Sequence, residues 1–243
     1  MLRTIVAVLA AVLYLVLSIP VLGIMYLVGK KDKKKADLQS LHMVQWIFRV
    51  IYKICGTKLT VIGHDKIPED QAVLYVCNHQ SYFDIIIGYT LCKGLTGYIA
   101  KDSIEKVPSL NVWMRRLYCL FMKQDDPRAG LKTIQQAIAQ VKNGISMCIV
   151  PEGHRGDGIT LQTFKAGSLR IAEKTGCPVV PVAISNTREI IVNHMPIVKP
   201  THVIFEYGDP IYPNELSKDE KKQMAAMCQE RIQEMLDRNK ALI

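Results

Sequence analysis

"AVLYVCNHQSYFDIII", residues 72–87, is the stretch on which the fold turns. Its first six residues are an unbroken apolar run, the pattern of a strand buried on both faces. Asn78, His79, Gln80 and Ser81 then break the run, and apolar residues resume at Tyr82 and Phe83. Ser81 and Asp84 stand in the S-x-x-D spacing of a helix capping box, so a helix is expected over 82–92. The segment therefore reads as strand, polar turn, helix.

The same alternation extends outward from it. "KLTVIG", "TGYIA", "YCLFM", "ISMCIV", "PVVPVAI" and "HVIFEYG" read as further strands. Asp126 with Pro127 forms an N-cap and N1 pair that opens a helix through about Val141. A second helix is expected over 164–174, and "SKDE" (217–220) caps a long C-terminal one. Strands alternating with helices predict an α/β domain with a mixed, largely parallel sheet flanked by helices.

Ahead of this pattern the chain is different. "MLRTIVAVLAAVLYLVLSIPVLGIMYLVG" carries one charged residue, Arg3, and about 20 apolar residues suffice for a membrane-spanning helix. A secretory signal fits poorly, because no A-x-A site ends the stretch and the lysines of "GKKDKKK" close it. The expectation is a retained anchor with its lysines toward the cytoplasm, either crossing the bilayer or kinked and re-entrant at Pro20 and Gly23. Residues 38–56 repeat apolar positions at Leu41, Val44, Phe48, Ile51 and Cys55, a helix lying in the membrane interface or on the domain core. The expected division is an anchor over 1–57 (apolar helix, Lys-rich link, amphipathic helix) and an enzyme domain over 58–243.

The formal net charge is +9, but five of the lysines lie in that single run, and no basic stripe interleaved with aromatics follows. A nucleic-acid partner is not expected. The seven cysteines are scattered singly without a C-x-x-C, which argues against disulfides and a thiolate metal site.

Two polar clusters follow buried strands, and in open α/β sheets ligands bind beyond the strands' carboxyl ends. In the first, His79 and Asp84 would lie about 140° apart on a helix or roughly 17 Å apart on a strand. They meet only if the chain turns between them. Asp84 is then a helix cap, the partner of a catalytic imidazole, or both. A His–Asp pair with no G-x-S-x-G nucleophile suits activation of a substrate hydroxyl or of water. In the second cluster, "PEGHRGDG", Gly153, Gly156 and Gly158 allow close backbone approach and Arg155 offers a fork for phosphate, or the segment is a solvated turn. No H-E-x-x-H or similar spacing supports a metal site of His79, Asp84 and His154, and none is expected.

These blocks resemble the glycerolipid acyltransferases, and the chain is similar to the 1-acyl-sn-glycerol-3-phosphate (lysophosphatidate) acyltransferase family over about residues 59–210. "NHQSYFD" holds H-x-x-x-x-D, and "AKDSIEKVPSLNVW" matches the second block through Lys101, Pro108 and Trp113. "VPEGHRGDG" with "FKAG" (164–167) matches the third, and "VVPVAI" the fourth. Val150, His154 and Gly156 depart from the usual F-P-E-G-T-R-S.

The resemblance implies the glycerolipid acyltransferase fold, His79 as general base and Asp84 as its orienting partner. It implies that Glu152, Gly153 and Arg155 bind the acceptor phosphate, with Lys101 and Lys123 as further cations. It implies lysophosphatidic acid as acceptor, acyl-CoA or acyl-carrier protein as co-substrate, membrane lipids as partners, and no cofactor. The same chemistry on glycerol 3-phosphate, another lysophospholipid or an acylated amino acid is the nearest alternative. A thioesterase or phospholipase and a non-enzymatic lipid-binding adaptor are more distant ones.

Overall fold

A computed structural model describes residues 1–123, 126–156 and 160–243. Three helices come first: α1 (Leu2–Leu17), α2 (Ile19–Lys31) and α3 (Lys33–Ile54). The alternating part follows as β1 (Lys58–Ile62), β2 (Leu74–Cys77), α4 (Tyr82–Leu91), β3 (Thr96–Lys101), α5 (Leu110–Arg116) and β4 (Leu120–Met122). It continues with α6 (Pro127–Lys142), β5 (Ser146–Ile149), α7 (Arg170–Thr175), β6 (Val179–Ser185), β7 (His202–Tyr207) and α8 (Lys218–Asn239). The strands form one sheet in the order β1-β7-β6-β2-β5-β3-β4. Every neighbouring pair is parallel except β6 with β7. This is the mixed, largely parallel sheet that the sequence pattern predicts.

Strand alternation divides the core in two. On β2, Tyr75 and Cys77 face a layer built with α3, α4 and α5, while Leu74 and Val76 face α6, α7 and α8. Adjacent strands β2 and β5 thus send their next helices, α4 and α7, to opposite faces. Such a divergence opens a crevice at the carboxyl ends of the two strands. Both polar clusters leave the sheet there.

The apolar leader is not one helix. It bends by 47° between α1 and α2, and among the described residues no single helix is long and apolar enough to cross a membrane. Pro20 has no amide hydrogen to give the preceding turn, and its ring crowds that turn's carbonyls. α5 holds the break: Ser109 Oγ donates to Leu15 O at 2.8 Å, and Trp113 Nε1 donates to Ser18 Oγ at 2.9 Å. Most apolar side chains of α1 remain exposed, among them Leu9, Val12, Leu13 and Val16.

The segment after the bend differs from the expected link. The lysines lie within the ends of α2 and α3, separated only by Asp32, whose carboxylate caps α3 at Lys35 N. α3 buries Leu41, Val44, Ile47 and Ile51 in the same core layer as Phe83 and Ile87 of α4. Of the two expectations for this helix, packing on the domain core is what is observed. The hydrophobic core therefore runs across the division expected at 57/58.

Candidate active site

The turn from β2 into α4 builds the site. Asn78 continues the strand with its side chain: Nδ2 donates to Ile184 O at 2.9 Å and Oδ1 accepts from Ile184 N at 2.8 Å. Gln80 Nε2 adds a second donor to Ile184 O at 2.8 Å. The backbone then swings over the sheet, and Ser81 caps α4 in a complete capping box with Asp84.

Asp84 serves as cap and partner together. Its Oδ2 accepts from Gln80 N at 2.6 Å, from Ser81 N at 2.8 Å and from His79 Nδ1 at 2.7 Å. Because the carboxylate accepts, Nδ1 carries the proton and Nε2 is left with its lone pair. Asp84 is 2% exposed and the His79 side chain 19%, so the carboxylate is sealed while the ring meets the crevice. Below the ring an apolar cleft enters the core between the sheet and α4, lined by Cys77, Ile85, Gly88, Tyr98, Cys148 and Phe205 among others. Its enclosed space is about 20 Å³, little more than one water needs.

The second cluster lies across the crevice. Glu152 is buried, and its carboxylate is committed to the backbone: Oε1 accepts from His79 N at 3.3 Å and Oε2 from Gln162 N at 3.1 Å. Burial pushes its carboxyl above the usual range, against the pull of those amides and of His154 and His79. Glu152, which the resemblance assigns to acceptor binding, here ties the two clusters together.

Gly153 has φ +80°, a conformation suited to glycine, and a Cβ there would lie 2.8 Å from Lys165 Nζ. Arg155 stacks its guanidinium 4.4 Å from the centroid of the exposed Tyr82 ring, at the start of α4. It therefore stands on the same rim as His79. Gly156 donates its amide to His79 O at 2.8 Å, while Gly158 lies outside the described residues.

Lys101 ends β3 and Lys123 follows β4, both exposed. Their strands are two and three places from β2, roughly 10 and 14 Å along the same edge. Among the described residues no group of three His, Cys, Asp or Glu side chains could hold a metal ion.

Four residues of the site went unremarked in the sequence: Tyr82, Lys165, Thr187 and Arg188. Tyr82 and Lys165 lie inside matched motifs, which was a usable signal. Thr187 donates its hydroxyl to Asp84 Oδ1, and Arg188 Nη1 donates to Gly156 O at 2.7 Å. Nothing in their local sequence marks them.

Known acyltransferases share this fold and part of this sequence. The chain is 26% identical over 207 residues to a 1-acyl-sn-glycerol-3-phosphate acyltransferase of Borreliella burgdorferi, covering 82% of this chain and 79% of that protein. It is 32% identical over 163 residues to the chloroplastic acyltransferase BAT2 of Brassica napus, covering 66% of this chain but 46% of that longer protein. The 1-acyl-sn-glycerophosphate acyltransferase PlsC of Thermotoga maritima superposes with a TM-score of 0.84 at 27% identity, over 99% of this chain and 95% of that one. The sequence profile of the family described as Acyltransferase matches residues 58–185. Those residues include both clusters and the strands that carry them, and the chain belongs to the Acyltransferase family, among relatives named 1-acyl-sn-glycerol-3-phosphate acyltransferases.

Proposed function

We propose that this protein is a membrane-associated O-acyltransferase that moves a fatty acyl group from acyl-CoA or acyl-carrier protein to the free hydroxyl of 1-acyl-sn-glycerol 3-phosphate, giving phosphatidic acid. The observation that carries the reading is the His79 ring, held by Asp84 at 2.7 Å, standing over an apolar cleft with Arg155 on the same rim. The names of its relatives favour this acceptor and product.

His79 Nε2 takes the proton from the acceptor hydroxyl as its oxygen attacks the thioester carbonyl carbon. Asp84 stabilises the imidazolium that forms. The tetrahedral intermediate collapses, the C–S bond breaks, and the departing thiolate takes the proton back from Nε2. Protons and charge balance, so the step needs no cofactor beyond the thioester. Ser81 is buried and its hydroxyl caps α4, which favours direct transfer over an acyl-enzyme.

Arg155 forks the acceptor phosphate, with the Gly153 backbone and the ammonium of Lys165 beside it. Lys101 and Lys123 extend the positive rim and draw anionic groups toward the crevice. Glu152 holds the two strand ends together. The cleft below His79 receives the acyl chain, for which its side chains must part. α1 and α2 bury their exposed apolar face in one leaflet, with the lysines at the cytoplasmic headgroups, and α3 belongs with the catalytic core.

The test uses purified protein in mixed micelles, radiolabelled acyl-CoA or acyl-carrier protein, and a panel of acceptors. Phosphatidic acid from the lysophosphatidate is expected, and His79→Ala should lower its rate by at least about 10³-fold. Preference for glycerol 3-phosphate or another lysophospholipid would move the acceptor assignment. Release of free fatty acid without any acceptor would replace transfer with hydrolysis.

A further inference from the structure

The two oxygens of Asp84 have unequal surroundings. Oδ2 is shared by three donors, whereas Oδ1 turns away from His79 and accepts from the Thr187 hydroxyl. Thr187 is fully buried and lies 103 residues downstream. It begins the 3-10 turn Thr187–Ile190 that follows β6. Asn186, at φ +72°, folds the chain back at that point, and its side-chain amide donates to His202 O at 2.9 Å. The turn is thereby tied to β7 before Thr187 reaches α4.

The next residue reaches the other half of the site. Arg188 Nη1 donates to Gly156 O, and Gly156 N donates to His79 O. The contacts close a ring from the His79 ring through Asp84, Thr187, Arg188 and Gly156 back to the His79 backbone. Residues 187 and 188 lie beyond the last of the matched blocks, which ends at Ile184.

We propose that the Thr187–Arg188 turn is a positioning element for acyl transfer: Thr187 holds the Asp84 carboxylate in the orientation that presents it to His79, and Arg188 sets the loop that carries Arg155. The proposal rests on the acyl-transfer reading given above. Its physical basis is the cost of a buried carboxylate oxygen without a donor. Deprived of Thr187, Oδ1 loses its side-chain donor in a buried site, and the carboxylate can turn out of the orientation that holds His79 Nδ1.

The test compares wild type, Thr187→Val, Thr187→Ser and Arg188→Gln in the full chain. It reads kcat, KM for the lysophosphatidate, and the His79 tautomer by nitrogen NMR of histidine-labelled protein. Thr187→Val is expected to lower kcat about ten- to a hundredfold with KM little changed. Its His79 should show less of the Nδ1–H tautomer. Thr187→Ser keeps the donor and should recover kcat to within about threefold of wild type. Arg188→Gln should raise KM about tenfold with a smaller effect on kcat.

Wild-type kcat and tautomer in Thr187→Val would overturn the role of Thr187. So would Thr187→Ser as impaired as Thr187→Val, a comparison that still decides if Thr187→Val does not fold. An unchanged KM in Arg188→Gln would overturn the role of Arg188. If wild type acylates no acceptor, the acyl-transfer reading fails by itself, and the NMR comparison still decides whether Thr187 orients the pair.

Discussion

The side-chain amide of Asn78 reads the backbone of Ile184 in both directions, giving to its carbonyl at 2.9 Å and taking from its amide at 2.8 Å. One side chain thus extends the pairing of β2 with β6 by a residue while the backbone is released to turn. His79 is lifted off the strand for that reason. Asn78→Ala should cost about 2 kcal/mol in urea denaturation, because Ile184 N is left without a partner in a buried site. Acyl transfer should fall further than stability, since the His79 backbone loses its guide.

Arg155 and Tyr82 form a stacked pair on the rim, and the two contributions can be separated. Arg155→Ala should raise KM for the phosphate-bearing acceptor by about tenfold or more, with less effect on kcat. Tyr82→Phe keeps the ring face and should behave nearly as wild type. Tyr82→Ala frees the guanidinium and should raise KM by a few fold, about the worth of a partly exposed cation–π contact. An effect confined to the acyl donor would place the acceptor elsewhere.

Glu152 gives a pH signature with a definite sign. Burial raises its folded-state pKa above the ordinary 4.5, so the folded chain binds this proton at higher pH than the unfolded chain. The stability it contributes is present below the ordinary value and is lost as pH rises through the raised one. Glu152→Gln does not titrate. The melting temperature of Glu152→Gln minus that of wild type should therefore increase from about pH 4.5 toward neutrality. A difference flat across this range would contradict the assignment.

The exposed face of α1 offers a test of membrane association apart from catalysis. Leu9 and Leu13 lie one turn apart and are each 54% exposed. Replacing both with Glu should abolish flotation with anionic vesicles while leaving transfer to a micellar, short-chain acceptor largely intact. Retained flotation would move the membrane contact to another surface.

The strand of 72–77, the cap at Ser81, the caps of α6 and α8, and the break near Pro20 were legible because each depends on neighbours within one turn or one strand. The H-x-x-x-x-D spacing let His79 and Asp84 meet only through a chain reversal, which the strand-turn-helix pattern offered. The sequence by itself could therefore determine the α/β pattern, the apolar leader and which residues crowd the two strand ends. Only the tertiary structure decided which contacts those residues make. It turned Glu152 onto backbone amides, buried α3 in the core, set α5 against the bend of the leader, and brought Thr187 to Asp84 across 103 residues. Local propensity and periodicity act within a segment, whereas these contacts depend on the order of strands in the sheet and on which helix covers which face.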